Sequence, residues 1–340
     1  MKQFSKIAID LSKGAFQFHG VDAEDNVVLQ RTLKRGQVIA FFAKIPPCLV
    51  GMEACASAHY WAREIEALGH RVMLVPPAYV KPFVKRGRKN DANDAAAICT
   101  AMSSKGMTFV PIKTPDQQAL LVLHRTRSAL VKHRTMLANS LRGQFAEFGI
   151  IEPCGEMGLG KLIALAVDAP ARTPVPRMAL EALAMQASLL RDTETRIKAI
   201  DEQIRAAHQA CDDSKRLATI PRIGPIIASA MVASIGDAKR FKSGRDLAAW
   251  LGLVPSQHST GGKTSLGPIT KAGDRYLRSL LVLGATGMLR GNKQGPWVKA
   301  LLARMEPRKA TIAIANKLAR IIWAILAHGG EYRKHPAFAA

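Results

Sequence analysis

The stretch "FSKIAIDLSKGAFQFHGVDAEDNVVLQRTL", residues 4–33, decides the fold of the first hundred residues. It contains three short apolar segments, "FSKIAID", "AFQFHGV" and "VVLQRTL", separated by the polar runs "LSKG" and "DAEDN". Short runs of this kind bounded by Gly, Asp, Asn and Ser are typical of strands joined by tight turns. The stretch therefore predicts three consecutive antiparallel strands.

The next seventy residues alternate between helix and strand patterns. Apolar runs such as "PCLVGME" and "RVMLV" are typical of buried parallel strands, whereas "SAHYWAREIEALG" has the spacing of an amphipathic helix closed by Gly69. The helical patterns "GQVIAFFAKI" and "DANDAAAICTAM" complete the series. The resulting order is three strands, helix, strand, helix, strand, helix, which is the order of an α/β RNase H-like (RuvC-like) domain.

The middle of the chain has helical patterns over two long segments, residues 114–149 and 178–213. They predict a helical, coiled-coil region in which the second helix pairs antiparallel with the first or with a second subunit. Basic residues on the first helix define either a solvated face or an arm that faces nucleic acid: His124, Arg125, Arg127, Lys132, His133 and Arg134.

The last third predicts a mostly α-helical domain. The segment "LATIPRIGPIIASAMVASIGD", residues 217–237, resembles a helix-hairpin-helix turn, in which Gly224 would permit a tight backbone whose amides face a phosphate. A plain helix-turn-helix connection would need the same glycine. We expect three domains: an RNase H-like domain over residues 1–112, a helical region over 113–212 and a C-terminal domain over 213–330.

The charge balance favours a polyanionic partner. The chain has 49 Lys+Arg against 26 Asp+Glu, a net charge of +23, in 340 residues. Such an excess is typical of nucleic-acid-binding proteins. The five cysteines form no C-x-x-C pair, and the N-terminal residues lack the apolar core of a signal peptide. We therefore expect a cytoplasmic protein, and we interpret the four tryptophans as core or interface residues.

Four acidic residues stand at the ends of predicted elements. Asp10 ends the first strand and Glu53 the fourth, while Asp91 and Asp94 are three residues apart at a helix start. If the two strands are parallel neighbours, all four carboxylates converge, and they would repel each other unless divalent cations lie between them. Oxygen ligands suit Mg²⁺ or Mn²⁺, and two such ions about 4 Å apart promote phosphodiester cleavage. Taken singly, Asp91 could be a helix cap and Asp10 a turn residue.

A second segment with candidate functional residues covers residues 250–285, "WLGLVPSQHSTGGKTSLGPITKAGDRYLRSLLVLGA". Its "GGKT" is not a P-loop, because Gln257 occupies the position of the first glycine and no buried strand precedes it. We expect a loop rich in Gly and hydroxyl residues, followed by a helix whose one face carries Lys271, Arg275 and Arg278. Such a loop is either an ordinary turn or the source of a nucleophilic hydroxyl.

The segments "IAIDLSKGAF", "GMEACASAHYWAREIEALGHRVMLVPP" and "KRGRKNDANDAAAI" resemble the DEDD, RuvC-like domain of an insertion-sequence transposase family, the IS-one-ten family, and within it the IS-eleven-eleven branch. The resemblance covers nearly the whole chain. It implies that Asp10, Glu53, Asp91 and Asp94 form the metal-binding tetrad. It also implies a DNA recombinase guided by a structured "bridge" RNA that the element encodes.

The same resemblance implies a nucleophilic serine in the loop "SQHSTGG". Counting back from "KAGD" selects Ser259 and counting forward from "GLVP" selects Thr260; Ser259 is preferred and Ser256 is a third choice. The expected reaction is Mg²⁺-dependent strand cleavage and rejoining through a phosphoserine link, carried out by a homodimer or homotetramer. Nucleic-acid contacts are expected from seven basic residues: Arg86, Arg88, Lys89, Lys263, Lys271, Arg275 and Arg278.

Two other functions fit parts of the sequence. A hydrolytic RuvC-like nuclease, such as a junction resolvase, would use water in place of serine and would leave the hydroxyl-rich loop without a role. A non-catalytic nucleic-acid-binding protein would use the basic helices but would leave four acids near a phosphate backbone unexplained, since acids weaken such binding without a metal.

Overall fold

The computed structural model describes residues 4–84, 91–168, 174–291 and 295–333. Its contacts divide the chain into two compact units, residues 1–114 and 115–340. The N-terminal unit is a mixed α/β sheet domain and the C-terminal unit is mostly helical. The expected boundary near residue 212 stays a prediction.

The N-terminal unit is built on a five-stranded sheet with the order β3-β2-β1-β4-β5. Its first three strands are antiparallel neighbours, and β4 and β5 are added in parallel, which is the arrangement that the sequence predicted. The strands are β1 (Lys6–Asp10), β2 (Ala15–Val21), β3 (Val27–Lys34), β4 (Leu49–Glu53) and β5 (Arg71–Val75). The helices are α1 (Val38–Phe42), α2 (Ala58–Glu66), α3 (Pro77–Val80) and α4 (Asp91–Met102).

The two faces of this sheet bury different side chains. On one face, Ile7 and Ile9 of β1 pack with α1 and α2, around the edge-to-face contact of Phe16 with Trp61. On the other face, Ala8 packs with α4. Successive side chains of a strand point to opposite faces, so the alternation in β1 follows from the strand period of two.

Helix α4 lies close to the sheet because the residues beneath it are small. Ala8 of β1 and Gly51 of β4 are register partners. A Cβ added at Gly51 would lie 1.9 Å from Sδ of Met102, the last residue of α4. Because position 51 has no side chain, the Met102 side chain can lie directly on β4.

The C-terminal unit contains two long antiparallel helices, α5 (Pro115–Ala146) and α7 (Arg177–Gln209). Arg127 forms an ion pair with Asp201, and Arg134 Nε lies 2.7 Å from Glu194 Oε1. The second helix thus pairs with the first within the chain. These pairs occupy two of the basic residues expected to form a nucleic-acid face; a coiled coil stays a prediction.

His124 is another residue of that expected face, but it is buried. Its Nε2 lies 3.0 Å from Ser229 Oγ and its Nδ1 3.1 Å from the Tyr276 hydroxyl. Because the Ser229 hydroxyl donates to the Pro225 carbonyl, His124 Nε2 donates to Ser229 and Nδ1 accepts from Tyr276. Burial, and then the charge of Arg127, lower the pKa of His124 to about 4, so the imidazole is neutral near pH 7.

The described part of the C-terminal unit contains seven further α-helices. They are α6 (Glu156–Val167), α8 (Asp212–Ala218), α9 (Pro225–Ile235), α10 (Gly244–Trp250), α11 (Arg275–Arg290), α12 (Pro296–Arg304) and α13 (Pro307–His328). In the described part of the chain, α13 alone is long and apolar enough to cross a membrane. Its contacts with α10 and α11 and its buried Ile314, Leu318 and Ile322 make it the core helix of this unit.

Two local expectations for the C-terminal unit are wrong. The segment "SQHSTGG" is not a loop but part of a two-stranded hairpin, β6 (Pro255–Thr260) and β7 (Lys263–Ile269). The turn residues Gly261 and Gly262 have φ of 55° and 78°, values that a two-residue hairpin turn requires. Gly224 does not provide a tight backbone either: its φ is −89°, and Arg222 takes the left-handed conformation instead, with φ of 66°.

The contact between Gly51 and Met102 gives a test of how α4 is held. Gly51→Ala should destabilise the N-terminal unit by about 1–3 kcal/mol through overpacking, and Met102→Ala by about 2–5 kcal/mol through the cavity it leaves. The double variant should be more stable than the sum of the two losses implies, because the new methyl group occupies space that Met102 vacates. Urea denaturation of the four proteins measures this coupling, and strictly additive losses would contradict the contact.

Candidate functional sites on the sheet edge and the hairpin

The strongest cluster of functional groups lies at the carboxyl edge of β1 and β4. The two strands run parallel with Ile9 opposite Met52, so Asp10 and Glu53 are the terminal residues of neighbouring strands. Each lies two residues beyond one member of the Ala8–Gly51 pair, which faces α4. By the strand period of two, both carboxylates stand on the α4 side of the sheet.

Electrostatics place Asp94 in the same cluster. Burial raises the pKa of Glu53, and the negative charge of Asp94 raises it further. Asp94 is half-buried in the first turn of α4, whose Ile98 and Ala101 pack on the sheet. The structure therefore brings Asp10, Glu53 and Asp94 to one region of the N-terminal unit.

Part of the predicted site lies outside the described residues. Helix α4 begins at Asp91, but the Asp91 side chain is not described. The expected nucleic-acid contacts Arg86, Arg88 and Lys89 fall in residues 85–90, which also lie outside the described residues. These three basic residues and Asp91 stay predictions.

The donor set fits a hard divalent cation in its chemistry. Carboxylate oxygens are the ligands that Mg²⁺ and Mn²⁺ prefer, and the mutual repulsion of Glu53 and Asp94 is what a bound cation would relieve. Among the described side chains, no three acidic, histidine or cysteine residues are grouped closely enough to hold a metal ion by themselves. A complete ligand set would thus need a further donor, for which Asp91 is the candidate.

Cys55 is a neighbour that the sequence analysis missed. This thiol is exposed, and its pKa is raised first by burial of part of the side chain and then by the charges of Glu53 and Asp10. Its position two residues after Glu53 in "GMEACAS" could have indicated that it lies near the acids. A thiol beside two carboxylates is a weak acid and stays protonated near pH 7.

The second predicted site, the hydroxyl group of Ser259, is exposed on β6 of the hairpin. Ser259 pairs with Thr264 across the hairpin, and its Oγ accepts a hydrogen bond of 2.9 Å from Gln257 Nε2. Thr260 pairs with Lys263 next to the turn. Ser256, by contrast, donates its hydroxyl proton to the Pro268 carbonyl over 3.1 Å.

The expected basic face beside this hairpin differs from the sequence prediction. Lys271 is not on the helix: it precedes α11 and has φ of 53°. Arg275 is exposed in the first turn of α11, which Asp274 caps by accepting the backbone N–H groups of Tyr276 and Leu277. Arg278 is half-buried. Its Nη1 donates to three backbone carbonyls, those of Leu251, Ala272 and Gly273, so this guanidinium group holds the segment before α11 in place.

The raised pKa of Glu53 predicts a pH-dependent stability. A carboxyl group with a raised folded-state pKa weakens the fold as pH rises from its ordinary value of 4.5 through the raised value. In EDTA, Glu53→Gln should therefore melt at a higher temperature than the unaltered protein at pH 7.5, with the difference shrinking towards pH 4. Differential scanning fluorimetry measures it, with the exposed Glu64→Gln as matched control. A Glu53→Gln variant that melts lower at pH 7.5 would contradict the electrostatic strain.

Comparison with known proteins shows which family the chain resembles. Residues 7–149 match the DEDD transposase family of IS110 elements, described as "Transposase", and residues 214–303 match the "Transposase IS116/IS110/IS902 family". The chain is 48% identical to the "Probable family 20 transposase" of Pseudomonas aeruginosa, covering 97% of this chain and 98% of the relative.

It is also 40% identical to the transposase for insertion sequence element IS1328 of Yersinia enterocolitica, over 98% of this chain and 100% of the relative. The identity to the transposase for insertion sequence element IS1111A of Coxiella burnetii is 38%, over 98% and 92% of the two chains. Identities at this level over nearly the whole length leave one conclusion: the chain belongs to the IS110/IS116 family of transposases.

Proposed function

We propose that the protein cleaves and rejoins DNA strands as the transposase of an insertion sequence, with an RNase H-like N-terminal domain. The observation that carries the proposal is the parallel register of β1 and β4, which ends both strands in a carboxylate on the α4 side of the sheet. Burial raises the pKa of Glu53 and the charge of a third acid, Asp94, raises it further, which is a repulsion that a bound cation would relieve.

The proposed metal ligands are Asp10, Glu53, Asp91 and Asp94. When bound, Mg²⁺ or Mn²⁺ would offset the negative charge that builds up on a phosphodiester during cleavage. The half-buried position of Glu53 and Asp94 reduces solvent screening, which strengthens their pull on a cation. The clustered acids thereby have a role in a chain whose net charge is +23.

Ser259 is the proposed nucleophile. Its Oγ would form a bond to phosphorus as the bond from phosphorus to one deoxyribose oxygen breaks, and that oxygen leaves as a hydroxyl group after taking up a proton. The phosphoserine ester keeps the bond energy, so a different DNA hydroxyl can displace the serine and restore a phosphodiester. The proposal is supported by the exposure of Ser259, which accepts a hydrogen bond from Gln257 and is therefore free to donate its own proton elsewhere.

The basic residues around both sites would hold the DNA backbone. Lys263 and Arg275 are exposed near the hairpin, and Lys271 lies on the segment between them. Arg278 would contribute less, because its Nη1 is committed to backbone carbonyls. Residues 85–89 would add positive charge next to the acids of α4.

The guide and the assembly are further parts of the proposal. The resemblance to the family supports an element-encoded bridge RNA that selects donor and target DNA. Exchange of strands between two DNA sites involves four strand ends, so a homodimer or homotetramer is expected to act. The DNA next to the gene should then encode a short structured RNA.

The nucleophile can be tested by trapping the covalent adduct. Ser259→Ala should reduce the protein–DNA adduct at least about 10³-fold while DNA binding is retained. Labelled donor DNA incubated with Mg²⁺, followed by denaturing gel electrophoresis, measures the adduct. Ser265→Ala, an exposed serine on the opposite strand of the hairpin, is the matched control and should keep it.

An adduct that persists in Ser259→Ala and disappears in Thr260→Ala would move the nucleophile by one residue. Nicked DNA with free ends and no adduct in any of these proteins would replace the phosphoserine mechanism with hydrolysis by water. DNA binding without cleavage under all conditions would favour a non-catalytic binding protein.

The acidic cluster can be tested separately. Asp10→Asn and Glu53→Gln should each abolish strand cleavage, and EDTA should abolish cleavage by the unaltered protein. Cleavage assays over a Mg²⁺ titration measure both effects, with the exposed Glu64→Gln as the control that keeps activity. Cleavage that survives in EDTA, or in Asp10→Asn with folding intact, would refute the metal role.

A further inference from the structure

A basic cavity lies in the C-terminal unit, between the first turn of α10 and the second half of α13. Its volume is about 450 Å³. Three cations line it, Arg245 of α10 and Lys317 and Arg320 of α13, next to an apolar wall of Ile321, Trp323 and Ala324. None of these residues belongs to the two sites proposed above for catalysis.

Among the residues that the structure describes, none that lines this cavity carries a negative charge. Within the described ranges, none of the three cations forms an ion pair, and no carboxylate lines the cavity. Lys317 faces an aromatic ring, with its Nζ 6.0 Å from the ring centre of Trp297. Like charges gathered in a concave site raise the local potential and attract an anion.

The walls of the cavity are held in place by tight packing. A Cβ added at Gly244 would lie 2.9 Å from the Cα and 3.0 Å from the carbonyl oxygen of Arg320, so the start of α10 touches the backbone of α13. This contact brings Arg245 and Arg320 to one cavity. The Trp323 ring is oriented by its Nε1, which donates to the carbonyls of Ala238 at 3.2 Å and Phe241 at 3.3 Å.

The cavity continues along α13. A second cavity of about 350 Å³ shares Lys317, Ile321 and Ala324 with the first and extends to His328 and Arg333. It also includes one acid, Glu331. The helix between Lys317 and His328 is about 16 Å long at 1.5 Å per residue, so the two cavities form a groove with cations at both ends.

We propose that this groove binds single-stranded nucleic acid, with one nucleotide seated in the first cavity. Arg245, Lys317 and Arg320 would contact the phosphate, and the base would pack against Ile321 and Trp323. Basic grooves with adjoining aromatic side chains are the usual means of holding single strands, because every base has a face that can stack. A duplex keeps its bases stacked inside, so it cannot fill the apolar part of the cavity.

The groove can be tested with a charge-removing triple variant of the full-length protein, Arg245→Gln/Lys317→Gln/Arg320→Gln. The matched control removes three exposed cations from α12 and the start of α13: Lys299→Gln/Arg304→Gln/Arg308→Gln. Fluorescence anisotropy with single-stranded DNA, single-stranded RNA and duplex DNA over a salt series gives the affinities. The two single-stranded probes show which polymer is the natural ligand.

The groove variant should bind at least one single-stranded probe about tenfold more weakly than the control variant. Its plot of log affinity against log salt should be shallower by about 0.7, the change expected for a single strand when one phosphate is no longer neutralised. Duplex binding should fall equally in both variants. Equal single-strand affinities in the two variants, or an excess loss that is the same for duplex and single strands, would overturn the proposal.

A second measurement needs no variant. A single strand carrying 5-bromouracil, irradiated in complex with the unaltered protein, should crosslink to the tryptic peptide of residues 321–333, which contains Trp323. Mass spectrometry identifies the peptide. Crosslinks confined to other peptides would refute the seating of a base in the groove. Both measurements concern binding, so they are independent of whether Ser259 or the acidic cluster is catalytic.

Discussion

The close packing of α4 on the parallel strands β1 and β4 is the constraint on which the N-terminal site depends. The register pairs Ala8 with Gly51, and the small size of both residues lets α4 approach. Asp10 and Glu53 follow two residues later on the same face. The packing of α4 on Ala8 and Gly51 therefore places two strand-end carboxylates beneath the helix that carries Asp94. A larger residue at position 51 would have to displace the Met102 side chain that lies against it.

The acidic and basic side chains of the two units serve different purposes. The chain is strongly basic, as a protein that handles nucleic acid needs to be, yet its N-terminal unit concentrates acids in a half-buried place. In the C-terminal unit, several basic and polar side chains are instead used for packing: Arg127 and Arg134 join two helices, and Arg278 holds a loop. The basic residues left without acidic partners along α13 are then the ones available to an outside anion.

The hairpin of residues 255–269 presents its hydroxyl groups on extended strands. A strand gives each side chain a fixed direction, whereas a loop allows several. Ser259 and Ser256 differ accordingly, since the first hydroxyl faces a side-chain amide and the second is occupied by a backbone carbonyl. The difference separates Ser259 from Ser256, whereas the choice between Ser259 and Thr260 stays a prediction.

The sequence by itself determined the order of strands and helices in the N-terminal unit and the element ends at which Asp10 and Glu53 stand. Both follow from local patterns, namely the period of apolar residues and the placement of turn residues. Tertiary structure decided the rest. It buried His124, paired Arg127 and Arg134 with acids far away in the chain, moved Lys271 off its expected helix and left Gly224 with an ordinary backbone.

The hairpin did have a local signal, because "GG" between two hydroxyl-rich segments is typical of a tight turn between strands. The sequence nevertheless predicted a loop in its place. The basic groove of α10 and α13 had no local signal. Arg245 and Arg320 are 75 positions apart (320 − 245), and the packing of α10 on α13, which is closest at Gly244, brings them together. Local sequence patterns predict helices and strands. Which residues of different helices and strands come into contact depends on how their surfaces pack against each other.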